Sequence, residues 1–397
     1  MIRLLVNALA ANAGGGITYI RNVLPHLSKR DDVHTAAILT PELRSAITLP
    51  QEVTAVECDF PANAAVRFAY EQQTLPGLIR KHNPDVLVSA GNFALWRSPV
   101  PQILLSRNSL YTSTDYYGDL RRRREYGRWL DTKAKGALAA ASIRRADITV
   151  APSEAFADDL RQWVGPEAAK KIICIHHGFD AAAFHQSSAA PAELSAQLAN
   201  SEGALRLLFV SNYNYFRNFE TLLRALPLIQ AKIPDRRVQL VLTCKLGSGQ
   251  NPSSYRATGA AALRDQLNLG PALVELGRVP YESLHHVYRA SDVYVTPAYA
   301  ETFAHPLIEA MSSGLPVVAS NLAVHREICG TAATYFPRFS ADALAAEVLR
   351  LYANDHLRST LSEAALDRSR DFSWEKHVTE MLDVARRVAA SACPQKL

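Results

Sequence analysis

Short apolar runs alternate with helix-period stretches along nearly all of this 397-residue chain, in two successive series. In the first, Ile2 to Val6, His34 to Leu39, Val53 to Cys58, Val86 to Ser89, Gln102 to Ser106, Ile148 to Ala151 and Ile172 to His176 read as strands. Arg67 to Lys81 and Lys133 to Arg144 read as helices among them. The second series runs Leu205 to Ser211, Val238 to Cys244, Leu273 to Gly277, Val293 to Thr296 and Val317 to Ala319. There Phe219, Leu222, Leu223 and Leu226 mark one helix face. Short buried strands separated by helices imply parallel sheets of the doubly wound kind. So long a chain exceeds one compact core. The expected fold is therefore α/β: two Rossmann-like domains at 1–185 and 204–371, a Ser-, Ala- and Gln-rich linker at 186–203, and a last helix at 372–397. Ligands of such sheets bind outside the carboxyl ends of the strands, and two such domains enclose a central cleft.

The densest chemistry follows the strand Val293 to Thr296. A loop carries Glu301, Pro306 opens a helix that carries Glu309, and Gly314 stops it before the strand Val317 to Ala319. A helix start placed after a parallel strand offers free N–H groups and a positive dipole end to an anion. The loop Thr302 to Leu307 thus reads as a phosphate cradle with one carboxylate before it and one inside the helix. That combination suits a nucleotide sugar, with amides for the diphosphate and carboxylates for hydroxyls.

Glu-x7-Glu, followed by Ala-Met-x-x-Gly-Leu-Pro-Val-Val-Ala-Ser and by Glu327, resembles the retaining group 1 (family four) glycosyltransferases of the GT-B fold. The resemblance implies that Glu309 bonds the ribose and Glu301 a hydroxyl of the transferred sugar. It also implies that the amides of Phe303, Ala304, His305, Pro306 and Leu307 hold sugar and diphosphate. Ala304 stands where the family has glycine. The family places an Arg after the strand that ends at Ser211 and a cation-Asn pair five residues on; here Asn212 replaces the first, and Arg217-Asn218 matches the second. Lys245 is either the replacement charge or a solvated loop lysine. The glycine loop Gly14-Gly15-Gly16, after the first strand, would face the donor diphosphate, and Asn108 would contact the sugar, where a turn Asn is the alternative. The last helix would pack back toward the first domain.

No Asp-x-Asp occurs, so no metal clamp is expected, and Arg217 with the helix start would neutralise the leaving diphosphate. His176-His177 and His285-His286, read as strand neighbours on opposite faces, are not expected to bind metal. No cofactor is implied; the donor is a nucleoside-diphosphate sugar, UDP- or GDP-linked foremost. The expected activity is retaining, metal-independent transfer of a sugar to an acceptor hydroxyl of a glycan, lipid-linked glycan or small molecule. The rivals are a nucleotide-sugar 2-epimerase on the same fold and a non-catalytic nucleotide-binding subunit.

Composition narrows the setting. Apolar residues make up 48% and charged ones 20%, as in a globular protein, and no eighteen-residue apolar run exists. Five scattered cysteines show neither disulfide nor metal spacing, which fits a reducing cytoplasm. Residues 97–145 hold eleven Lys or Arg against four acids, including Arg121, Arg122, Arg123 and Arg124. That run is either a solvated helix face or a surface for an anionic acceptor or inner membrane leaflet; no nucleic-acid motif accompanies it.

Overall fold

The computed structural model describes residues 1–11, 15–58, 64–185, 189–199, 203–247 and 255–392. The chain divides into two compact units. The first comprises Met1–Thr112, Arg124–Gly178 and the C-terminal segment from Phe372; the second comprises Ser113–Arg123 and Phe179–Asp371.

The first unit is built on a seven-stranded parallel sheet of β1 (Ile2–Asn7), β2 (Val33–Leu39), β3 (Thr54–Glu57), β4 (Val86–Ser89), β5 (Gln102–Leu105), β6 (Ile148–Ala151) and β7 (Ile172–Cys174). Their spatial order is β3-β2-β1-β4-β5-β6-β7. Successive side chains of a strand point to opposite faces. Leu4 and Val6 accordingly pack on one face with Tyr19, Ile20, Val23 and Leu24, while Leu5 joins Leu75, Ile79 and Leu87 on the other. The last helix, Trp374–Ala392, belongs to this unit, burying Trp374, Val378 and Leu382 in the first of those cores. His377 Nδ1 lies 2.8 Å from the His176 carbonyl and Nε2 lies 3.1 Å from the Tyr19 hydroxyl. Gly178 makes the approach possible, because a Cβ there would lie 2.1 Å from the Trp374 amide nitrogen.

The second unit holds β8 (Leu205–Phe209), β9 (Val238–Leu242), β10 (Leu273–Glu275), β11 (Val293–Thr296), β12 (Val317–Ser320) and β13 (Ala333–Phe336), in the parallel order β10-β9-β8-β11-β12-β13. The short β13 escapes the sequence pattern. Phe219, Leu222, Leu223 and Leu226 are all buried, as their spacing requires. Within 186–203 a helix forms at Ala192–Ala199 and buries Leu194 and Leu198. Residues 113–123 group with this unit although they interrupt the first in sequence. Their helix, Thr114–Arg122, is held by Asp119, which accepts from the Tyr299 hydroxyl at 2.7 Å and from Arg123 Nε at 2.9 Å. Arg123 also reaches Glu220 at 2.9 Å, and Asp115 pairs with Arg338 at 2.7 Å. No helix of the described residues is long and apolar enough to cross a membrane.

Strand order reverses between β1 and β4 in one unit and between β8 and β11 in the other. These are the topological switch points where doubly wound sheets open a crevice.

Candidate active site

β8 and β11 deliver the principal groups of the second unit. After β8 the chain makes a short turn, Tyr215–Arg217, and Asn218 then adopts a left-handed conformation at φ 55°. The buried Asn218 carboxamide is used within the protein: Nδ2 donates to the Pro297 carbonyl at 3.1 Å, and Oδ1 accepts from Thr221 at 2.9 Å. With the Tyr299 amide donating to the Phe216 carbonyl at 2.9 Å, these bonds tie the loop after β8 to the loop after β11. Arg217 and Glu301 thereby meet across the switch point as an ion pair, with 23% and 11% of their side-chain surface exposed. The pair is enclosed yet reachable. Burial pushes the Glu301 carboxyl up, but Arg217, His325 and the Thr302 amide outweigh it and hold the group below the ordinary carboxylate value.

The helix after this loop is His305–Ser312, with Pro306 in its first turn, as the sequence implies. Ala304 caps it at φ 65°, a left-handed conformation that glycine adopts without strain. The amide cradle is smaller than expected. Pro306 has no N–H, and the Leu307 amide donates to the Ala304 carbonyl at 2.9 Å, so neither is offered to a ligand. The Phe303 and Leu307 side chains are core. Glu309 is buried and accepts from the Tyr288 hydroxyl at 2.6 Å. Burial raises its carboxyl to about 7 despite that bond.

His325 was not singled out by the sequence. It is fully buried, with Nδ1 3.0 Å from the Ser320 carbonyl, and Nε2 has no partner. Burial drops its pKa to about 4, so a neutral imidazole stands in electrostatic range of Glu301 and Arg217. No periodicity marks such a residue, since the helix Ala323–Cys329 buries it like an apolar one.

Other expected residues lie elsewhere. Lys245 is exposed beyond β9 and lies over Gly277, where an added Cβ would come within 3.3 Å of its Cε; it forms no ion pair among the described residues. In the first unit, Gly14 lies outside the described residues, while Gly15 and Gly16 open the helix Gly15–Ser28. Asn108 Oδ1 accepts from the Leu110 amide at 3.1 Å and caps the turn Ser109–Tyr111. The histidine pairs need correction. β7 ends at Cys174, before His176-His177, and His285-His286 sit on the helix Tyr281–Arg289 with ring centroids 3.8 Å apart. The arginine run is not one uniform surface either: Arg123 is tied to Asp119 and Glu220, while Arg122 is mostly exposed.

Two doubly wound parallel units in one chain define the GT-B fold class. Sucrose-phosphate synthase from Thermosynechococcus elongatus superposes with a TM-score of 0.75 at 19% identity, covering 99% of this chain and 100% of that one. Anabaena HepE in complex with UDP gives 0.70 at 16%, covering 98% and 100%. At such identities the likeness is one of fold. Residues 192–368 match the model for glycosyl transferases group 1, and residues 13–183 that for Glycosyltransferase Family 4. The chain belongs to the group 1 glycosyltransferases. A D-inositol 3-phosphate glycosyltransferase of Nocardioides sp. is 28% identical over 260 residues, 62% of this chain and 55% of that protein. The chain spans about half the length, or less, of the curated relatives it matches.

Proposed function

We propose that this glycosyltransferase moves a sugar from a nucleoside-diphosphate donor to an acceptor hydroxyl with retention and without a metal, in glycan, cell-surface polysaccharide or glycolipid synthesis. The observation that carries the reading is the Arg217–Glu301 pair at the second unit's switch point, beside the helix start at Ala304. A guanidinium has five N–H donors, so Arg217 can hold Glu301 and still bind a diphosphate oxygen. Ionised Glu301 would accept from a hydroxyl of the sugar. Glu309, close to half-protonated near neutrality, would take the ribose hydroxyls. Charge developing on the leaving diphosphate would be met by Arg217, the amides of Phe303 to His305 and Lys245. A departing phosphate oxygen can then accept the acceptor's proton on the same face of the sugar, with no protein base required.

UDP or GDP at a hundred times its dissociation constant should stabilise the protein by about 2.7 kcal/mol. Arg217→Ala should weaken that binding by roughly 1.5–3 kcal/mol, and Glu301→Ala should nearly abolish donor turnover with the fold intact. Absence of stabilisation by any nucleoside diphosphate, or full turnover in Glu301→Ala, would overturn the reading. Donor consumed without acceptor to give an epimer would favour the 2-epimerase instead.

A further inference from the structure

The loop between β11 and Glu301 is tied at consecutive residues from both sides. Asn218 holds the Pro297 carbonyl and Phe216 the Tyr299 amide, both reaching in from the β8 side. The carbonyl between them, on Ala298, accepts from Ser320 Oγ at 2.5 Å, and Ser320 is the last residue of β12. β8 and β12 flank β11 in the sheet, so both neighbouring strands hold the loop that presents Glu301.

Behind Ser320 stands His325, on the helix Ala323–Cys329. Its Nδ1 lies 3.0 Å from the Ser320 carbonyl and 3.1 Å from Ser320 Oγ. A carbonyl oxygen can only accept, so Nδ1 carries the hydrogen. Facing that N–H, the Ser320 hydroxyl offers a lone pair to His325 and sends its own hydrogen to Ala298. Ala298, Ser320 and His325 are all fully buried, so water does not compete for these groups. As filler, the imidazole is a poor choice. It leaves Nε2 without a partner in the interior, a cost that an apolar side chain would avoid. What the ring supplies and an apolar residue cannot is the N–H behind the Ser320 hydroxyl. Burial keeps the ring neutral, so Arg217 remains the cation paired with Glu301.

We propose that His325 is a positioning residue: acting through Ser320, it fixes the Ala298 carbonyl and with it the place at which the loop holds Glu301. Its part in the transfer rests on the sugar contact proposed for Glu301; its hold on the loop does not. A misplaced Glu301 should cost rate more than donor affinity, since Arg217 and the helix start are left in place.

The test compares variants of the full chain. His325→Leu keeps bulk and removes the N–H, whereas His325→Asn offers an amide N–H near the place of Nδ1 without the second nitrogen. In amide hydrogen exchange, His325→Leu should speed exchange within 297–301 by about tenfold with β8 as in wild type. His325→Asn should recover most of that protection. Ser320→Ala should behave as His325→Leu does, and the double variant should be no worse than either, because the two act in series. With UDP-glucose and GDP-mannose as donors, release of UDP or GDP should show kcat lowered about tenfold in His325→Leu, with donor KM little changed and partial rescue in His325→Asn. If His325→Leu does not fold, Ser320→Ala against His325→Asn carries the same comparison. Wild-type exchange at 297–301 in His325→Leu and Ser320→Ala, exchange raised equally throughout the unit, or no rescue by His325→Asn would overturn the proposal. Faster exchange at 297–301 with kcat unchanged would overturn the role in transfer. A wild type that releases neither nucleotide sinks the donor reading, while the exchange comparison still decides whether His325 holds the loop.

Discussion

Glu309 shows how one residue carries both stability and function. Its carboxyl rises to about 7 from the ordinary 4.5, so the folded state holds a proton that the unfolded chain releases. Stability from this group is greatest below the unfolded value and is lost as pH rises through about 7. Glu309→Gln should therefore gain on wild type by about 2.5 kcal/mol between pH 5 and pH 8, read from denaturant unfolding at the two pH values. An unchanged gap would mean that Glu309 is already ionised at pH 5. The Glu-x7-Glu spacing singled out this residue, and the start of a helix at Pro306 placed it. Its partner Tyr288 lies on a different element, 21 positions back, and nothing local in the sequence joins the two.

Among the elements, the helix Thr114–Arg122 departs furthest from its sequence neighbours. Local pattern assigns it to the first domain, yet Asp119, Arg123, Tyr116 and Asp115 all bond within the second unit. Asp119 stands behind Tyr299, two residues before Glu301, and Arg123 lies over the Tyr215 ring, two residues before Arg217. Asp119→Ala would strip the Tyr299 hydroxyl of its acceptor and leave Arg123 with Glu220 alone. A loss of about 3 kcal/mol in unfolding free energy is expected, with faster proteolysis within 113–124. A variant as stable and as protease-resistant as wild type would show that this helix is held by its apolar contacts instead. The strands were legible because buried parallel strands are continuous apolar runs; β13 was missed because four residues, Ala-Thr-Tyr-Phe, are too few to establish a period.

At the scale of the molecule, the first unit is discontinuous in sequence, and its closure depends on the last helix returning to β1 and the helix Gly15–Ser28. Gly178 is the narrowest point of that closure. Gly178→Ala should displace Trp374 and lower the Tm, with a loss of up to about 3 kcal/mol for overpacking at backbone; an unchanged Tm would mean that the last helix shifts freely. By itself the sequence determined what depends on neighbours along the chain: which runs are strands, where the helix of Glu309 begins, and that two carboxylates and Arg217-Asn218 flank one strand-to-helix loop. Only the tertiary structure decided which charges meet. It paired Arg217 with Glu301, set His325 near them, and spent the Asn218 carboxamide and the Leu307 amide inside the protein. The physical reason is that strand order within a sheet is not strand order in the chain. The residues brought together at the second unit's switch point lie 84 positions apart in the Arg217–Glu301 pair.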